Sequence, residues 1–196
     1  NPTGTLYNPE SIAIKLDKMP KADVLMLTFG TSHVYKRDGV VVANCQKLPA
    51  KLFTEAELSV DEIVQRYCTL IPQLREKNQN LQVIFTVSPY RYMKYGLHGS
   101  ALSKARLLLA VDEICAKVDG CHYFPAYEIV TDELRDYRYY DADMVHPNAV
   151  AADYVWEQFQ ANCLDNEAQR FVKEYTPIRR ALEHRPFNPD SEEYKD

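Results

Sequence analysis

The chain of 196 residues is 46% hydrophobic and carries a formal net charge of -5. That is enough apolar content for one well-packed core, and the interleaved charge forms no basic stripe or single-sign block, which argues against a nucleic-acid partner. No apolar run approaches the ~18 residues that span a bilayer, and no charged-then-apolar leader opens the sequence, so neither a membrane segment nor export is expected.

The elements follow in chain order. Asn8 is placed to cap a short helix opened by Pro9 and carrying Ile12, Ile14 and Leu16, with a polar turn from Lys18 to Lys21. Val24 to Phe29 is an apolar run ending at Gly30, the pattern of a strand buried on both faces. Lys36-Arg37-Asp38-Gly39 signals a hairpin turn, with Val40 to Ala43 as the second arm. Ser59-Val60-Asp61-Glu62 has the spacing of a capping box, after which Ile63, Tyr67, Leu70, Ile71 and Leu74 recur at helical intervals as far as Lys77. Leu81 to Val87 predicts the next buried strand. The loop from Ser88 to Ser100 leads to a helix predicted from Leu102 to Val118, with Leu102, Ala105, Leu108, Leu109, Val111 and Ile114 on its apolar side. His122-Tyr123-Phe124 reads as a third strand. A helix from Asn148 to Cys163 turns Val150, Tyr154, Val155 and Phe159 inward, and a more polar one from Asp165 should be kinked or interrupted by Pro177. Beyond Pro186 the charged tail is expected to be mobile.

Alternating strands and helices predict an α/β fold with a mostly parallel sheet, in which ligands bind beyond the carboxyl ends of the strands. Gly30, Ser88 and the segment Asp141 to Asn148 would gather there. That segment places Asp143 three residues before His146, followed by Pro147 and a helix-capping Asn148. In isolation such residues are more often a turn and a cap than a catalytic pair. Chemically, however, an aspartate so placed can hold one ring nitrogen of the imidazole while the other faces a nucleophile as general base. The five cysteines, Cys45, Cys68, Cys115, Cys121 and Cys163, lack C-x-x-C or Cys/His ligand spacing, which predicts reduced thiols in a cytoplasm and no metal site.

Longer phrases carry a resemblance. Asn1-Pro2-Thr3-Gly4 with Leu6-Tyr7-Asn8-Pro9, Leu27-Thr28-Phe29-Gly30-Thr31, Val41-Val42-Ala43-Asn44-Cys45, Val87-Ser88-Pro89, Leu102-Ser103-Lys104, Tyr123-Phe124-Pro125-Ala126-Tyr127-Glu128, Asp132 to Arg138 and Asp143-Met144-Val145-His146-Pro147 together resemble the GSCFA family, grouped with the SGNH (GDSL-like) hydrolases. The resemblance runs from Asn1 to about Phe159. It implies a three-layer α/β/α fold of flavodoxin-like character over residues 1–163, with residues 164–196 as a helical extension and tail. It also implies a serine nucleophile in a Gly-Ser-Cys-Phe-Ala motif upstream of Asn1-Pro2-Thr3-Gly4. No such motif occurs in this sequence, so the first strand and the nucleophile are expected to be missing from it.

The same resemblance implies an esterase or acyl hydrolase, or an O-acyltransferase on the same site, with His146 and Asp143 catalytic and no cofactor. The substrate would be a small-molecule or glycan-like acyl ester. Oxyanion donors would be Gly4 and the block at Gly30, where Ser32 stands in place of an asparagine and Asn44 is the substitute. Arg91, His98 and Lys104 are placed to line the entrance, or else are solvated loop charges. Tyr137, Tyr139 and Tyr140, with Arg135 and Arg138, are expected to pack the Asp143 loop, and His122 and His184 to be structural or exposed. Two rival readings remain: a nucleophile within this chain, at Ser32 beside His33 or at Cys45, and a binding module that keeps a hydrolase fold without turnover.

Overall fold

A computed structural model describes residues 22–42, 45 and 47–183. Gly4, Asn44, His184, the helix expected over residues 8–16 and the tail beyond Pro186 lie outside the described residues. The chain divides into two compact units at Ala151 and Ala152.

The first unit is built on a parallel sheet of three strands, β1 (Val24–Phe29), β5 (Gln82–Val87) and β6 (Cys121–Tyr123), with β5 in the middle. Between β1 and β5 in sequence stands a separate antiparallel sheet, β2 (His33–Arg37), β3 (Val40–Val42) and β4 (Thr54–Glu57), with β2 central. The β2–β3 turn is Asp38-Gly39, both with positive φ, which is the two-residue turn whose twist matches that of the flanking strands. Helix α1 (Val60–Lys77) precedes β5, and helix α2 (Gly96–Lys117) joins β5 to β6. The Ser59–Glu62 capping box is present in both directions, and α1 runs through Pro72.

Strand register decides which residues form the core. Leu25, Val83 and Cys121 align across the sheet, as do Leu27, Phe85 and Tyr123, and all point toward α1 and α2. Ile63, Val64 and Ile71 of α1 and Leu107, Ala110, Val111 and Ile114 of α2 complete the cluster. Phe85 is fully buried and lies 5.5 Å from Phe29 and 5.7 Å from Tyr67, ring centre to ring centre. Burying each such large side chain stabilises by about 2–3 kcal/mol.

The structure corrects several expectations. β1 is not buried on both faces: its burial alternates, leaving Val24 and Met26 at 47% and 49% exposure. α2 begins at Gly96 and follows its expected apolar side only in part: Leu108, Val111 and Ile114 pack inward, whereas Leu102, Ala105 and Leu109 are exposed and Ser100, Ser103 and Lys104 are buried in their stead. The physical reason is that the first half of α2 faces the ends of strands, where backbone polar groups need partners and leucine offers none. β4, with two glutamates in four residues, carries no apolar alternation to announce it.

The second unit comprises the continuation of helix α3 (Ala149–Cys163) and helix α4 (Asn166–Glu183). Asp165 caps α4 by accepting from Ala168 N–H at 2.8 Å, and α4 continues through Pro177, whose ring removes a single helical donor. Val150, expected inward, is exposed; Ala151 is fully buried.

This partial departure of α2 has a measurable consequence. Leu107→Ala, at 3% exposure, is expected to cost about 2–5 kcal/mol in urea unfolding, whereas Leu109→Lys, at 60% exposure, should change stability by no more than ~0.5 kcal/mol. The opposite ranking would show that the apolar pattern, not the buried serines and lysine, marks the packed face.

Candidate functional site

At the carboxyl ends of β1 and β5 a lysine replaces the next rung of the sheet. Lys104, 4% exposed, donates from Nζ to Gly30 O at 2.5 Å and to Ser88 O at 2.6 Å. Burial pushes its pKa down to about 8. The neighbouring turns of α2 act in the same way: Ser103 Oγ accepts from Ser32 N–H at 2.8 Å, and Ser100 Oγ accepts from Tyr92 N–H at 3.2 Å.

The loop leaving β5 is fixed on its other flanks as well. Lys94 Nζ donates to both carboxylate oxygens of Glu55 at 2.9 Å and to Tyr35 Oη at 2.6 Å, and Tyr95 Oη donates to Glu55 Oε1 at 2.5 Å. The Tyr95 hydroxyl and then Lys94 hold the Glu55 carboxyl below its ordinary pKa; burial first, then Glu55, pushes Tyr95 up to about 12. His33 stacks on Tyr95 with ring centres 3.6 Å apart.

Downstream, a turn of Asp141 to Asn148 forms the candidate catalytic loop. An isolated bridge pairs Tyr140 with Pro147, Asp141 N–H donates to His146 O at 2.8 Å, and Met144, with φ of 60°, closes a turn by donating to Asp141 O at 2.9 Å. Asp143 Oδ1 accepts from the backbone N–H of Val145 at 2.9 Å and of His146 at 3.0 Å, and Oδ2 meets His146 Nδ1 at 2.5 Å. The backbone donors of His146 and Val145, followed by the His146 side chain, hold the Asp143 pKa down to about 2. Asn148 Oδ1 caps α3 by accepting from Ala151 N–H at 3.1 Å, while its amide donates to Arg138 O at 2.7 Å.

With the Asp143 carboxylate accepting at Nδ1, a neutral ring carries its proton there and keeps Nε2 as the acceptor. His146 and Asp143 side chains remain 57% and 45% exposed, so the imidazole is accessible. Arg91 N–H donates to Val145 O at 3.2 Å, joining this loop to the one leaving β5, and the ring of Tyr90 lies 4.5 Å from that of His146.

The expected site residues are therefore divided. Asp143, His146, the Ser88–Tyr92 loop and Gly30 share the carboxyl edge of the sheet. Ser32, expected as an oxyanion donor or nucleophile, is instead 1% exposed, and its hydroxyl bonds to Glu57 Oε1 at 3.3 Å and Ser103 Oγ at 3.1 Å. His33 does not partner the Ser32 hydroxyl: its Nε2 stands 3.5 Å from Glu57, which also binds Arg106. Arg91 is not free at an entrance, since its guanidinium lies 4.3 Å and 5.0 Å from the ring centres of Tyr140 and Tyr137. His98 is exposed in the first turn of α2, and Lys104 is interior. His122 is exposed and bonds to Gln82 Oε1 at 3.2 Å. Composition and spacing gave no sign of the Lys104 clamp. The run Tyr90, Tyr92, Tyr95 in a strand-exit loop was a visible signal for the aromatic row beside His146.

A groove of about 690 Å³ lies elsewhere, between the β2–β3 hairpin and α1, lined by Lys36, Val40, Val41, Leu58, Arg66 and Leu70, and neither Asp143 nor His146 borders it. Cys45, Cys68, Cys115, Cys121 and Cys163 are free, no cluster able to hold a metal ion occurs among the described residues, and no helix among them is long and apolar enough to cross a membrane.

These features define a mixed α/β protein whose parallel sheet presents an aspartate-held histidine at its carboxyl edge. The profile of the GSCFA family matches residues 14–159, and that of the GSCFA domain protein C-terminal domain matches residues 176–196. The chain belongs to the GSCFA family. No curated protein matches it.

The depressed Asp143 pKa fixes a pH dependence. A carboxyl whose folded pKa lies below its unfolded value stabilises the loop above about pH 4, and that contribution is lost as pH falls toward 2. The Asp143 side-chain carboxyl carbon resonance should show its own titration step at about pH 2; a step at or above the ordinary carboxyl value of about 4 would contradict the double backbone acceptance.

Proposed function

We propose that this chain carries the acid–base half of a serine-dependent hydrolase of the SGNH type, acting on the ester bond of an acylated small molecule or glycan. The observation that carries this reading is the Asp143–His146 pair, with Nδ1 held at 2.5 Å by a carboxylate that two backbone N–H groups also fix. In this reading the nucleophile would be the serine of a Gly-Ser-Cys-Phe-Ala motif, expected from the resemblance to the GSCFA family and not contained in this sequence. His146 Nε2 takes the serine proton as the oxygen attacks the acyl carbon, then returns it to the departing alcohol. Water repeats the cycle from the other side and releases the acid. Asp143 keeps the tautomer and steadies the imidazolium. If a second hydroxyl compound replaces water, the same steps give O-acyl transfer.

The alternative is a binding module that keeps a hydrolase fold without turnover. Labelling with a fluorophosphonate separates the two. The intact protein should label on serine and hydrolyse p-nitrophenyl acetate, and His146→Ala should lower kcat/KM by roughly 10²–10⁴-fold. Asp143→Asn, which presents a donor to Nδ1 and so inverts the tautomer, should also lower kcat by up to about 10⁴-fold. Turnover that survives both substitutions, or an intact protein that never labels, would remove the hydrolase reading.

A further inference from the structure

The carboxyl edge of the sheet holds a hydroxyl that makes no hydrogen bond among the described residues. Tyr92 is half-buried in the loop after β5, its backbone held by Ser100. Its ring meets that of Tyr90 edge-on, with centres 4.7 Å apart, and Tyr90 in turn lies against His146. On its other side the Tyr92 hydroxyl closes on the end of β1, where a Cβ built on Gly30 would stand 2.9 Å from Tyr92 Oη. Gly30 is not in a left-handed conformation, so the absent side chain is a matter of space for that hydroxyl.

Buried tyrosine hydroxyls ordinarily find a partner. Tyr92 Oη makes no hydrogen bond among the described residues. Nor is it one of their sealed, partnerless polar atoms, which are His33 Nε2, Arg75 Nη2, Thr86 Oγ1 and Tyr140 Oη. It is a donor beside the end of β1, linked to His146 through the Tyr90 ring, while Ser32, the donor expected there, is consumed by Ser103 and Glu57.

We propose that Tyr92 is a catalytic residue whose hydroxyl donates a hydrogen bond to the acyl oxygen of the ester as negative charge develops on it. The proposal rests on the hydrolase reading above. As the serine oxygen bonds to the acyl carbon, the carbonyl π pair moves onto oxygen, and Tyr92 holds that oxygen without giving up its proton. When the pair returns, the alcohol leaves with the proton carried by His146. Burial, and then the neighbouring phenol of Tyr90, push the Tyr92 pKa upward, which keeps it a donor through the neutral range. Lys104, with Nζ 5.6 Å from the Tyr92 ring centre, keeps the ring beside the Gly30 carbonyl that it also binds.

The test uses the intact protein with p-nitrophenyl acetate. Tyr92→Phe should lower kcat by roughly 10²-fold with KM within about twofold, since a donor aimed at developing charge acts on the transition state. Its melting midpoint should stay within about 2 °C, because the hydroxyl makes no hydrogen bond among the described residues. Gly30→Ala, which forces the hydroxyl aside, should lower kcat as well but add little in the Tyr92→Phe background. Unchanged kcat in Tyr92→Phe, a marked loss of its stability, or fully additive losses would each overturn the role of Tyr92. Activity lost with His146→Ala but kept with Tyr92→Phe overturns that role alone; activity that survives His146→Ala overturns the hydrolase reading beneath it.

Discussion

A buried ammonium must find acceptors, and the two that Lys104 finds set the geometry of everything above the sheet. β1 and β5 are paired in register up to Phe29 and Val87, and one further rung joins Ser88 N–H to Phe29 O. Past that point the strands have no ladder of their own. Lys104 bonds both departing chains at once, at Gly30 O and Ser88 O, and Ser103 and Ser100 fasten the next residues of each. The spacing of these three along α2 puts them on one helical face. A helix that sealed this edge with leucines would leave the carbonyls and N–H groups of both loops unpaired, each at a cost of about 1–3 kcal/mol.

Local chemistry was legible in the sequence; chemistry that depends on distant partners was not. The Asp38-Gly39 turn, the Ser59–Glu62 capping box and the Asp143-to-His146 spacing are each satisfied within a few residues, and each takes the expected form. α2 shows the converse. Its apolar residues predict one face, and the buried polar residues that select another have meaning only once Gly30, Ser32, Ser88 and Tyr92 are in place. Ser32 fails as a site residue for the same reason, since its partners are 25 and 71 positions away. β4 is hidden because Glu55 and Glu57 are placed for Lys94, Tyr95 and Arg106 rather than for a core.

The small antiparallel sheet thereby acquires a purpose that its size does not suggest. Its strand β4 supplies Glu55, and β2 supplies Tyr35 and His33, which hold Lys94 and Tyr95 at the far end of the loop leaving β5. Exposed ion pairs of this sort contribute little to global stability. Their effect here is positional: a loop anchored at Ser88 by Lys104, at Arg91 by the Val145 carbonyl and at Lys94 by Glu55 has little freedom left for Tyr90 and Tyr92 between those points.

The same reasoning separates function from stability in the Asp143 loop. The turn is already closed by Asp141 N–H on His146 O, by Met144 N–H on Asp141 O and by the Tyr140–Pro147 bridge, and Asp143 Oδ1 satisfies two further N–H groups. None of these bonds involves the imidazole. Oδ2 bonds to Nδ1 in a region open to water, where a contact between two exposed side chains adds little to global stability and restricts both rotamers. What that bond does fix is which nitrogen carries the proton and where the other lone pair points. A turn that is complete without its imidazole, yet holds that ring at Nδ1 and against Tyr90, has the preorganisation that the proposed proton transfer would need.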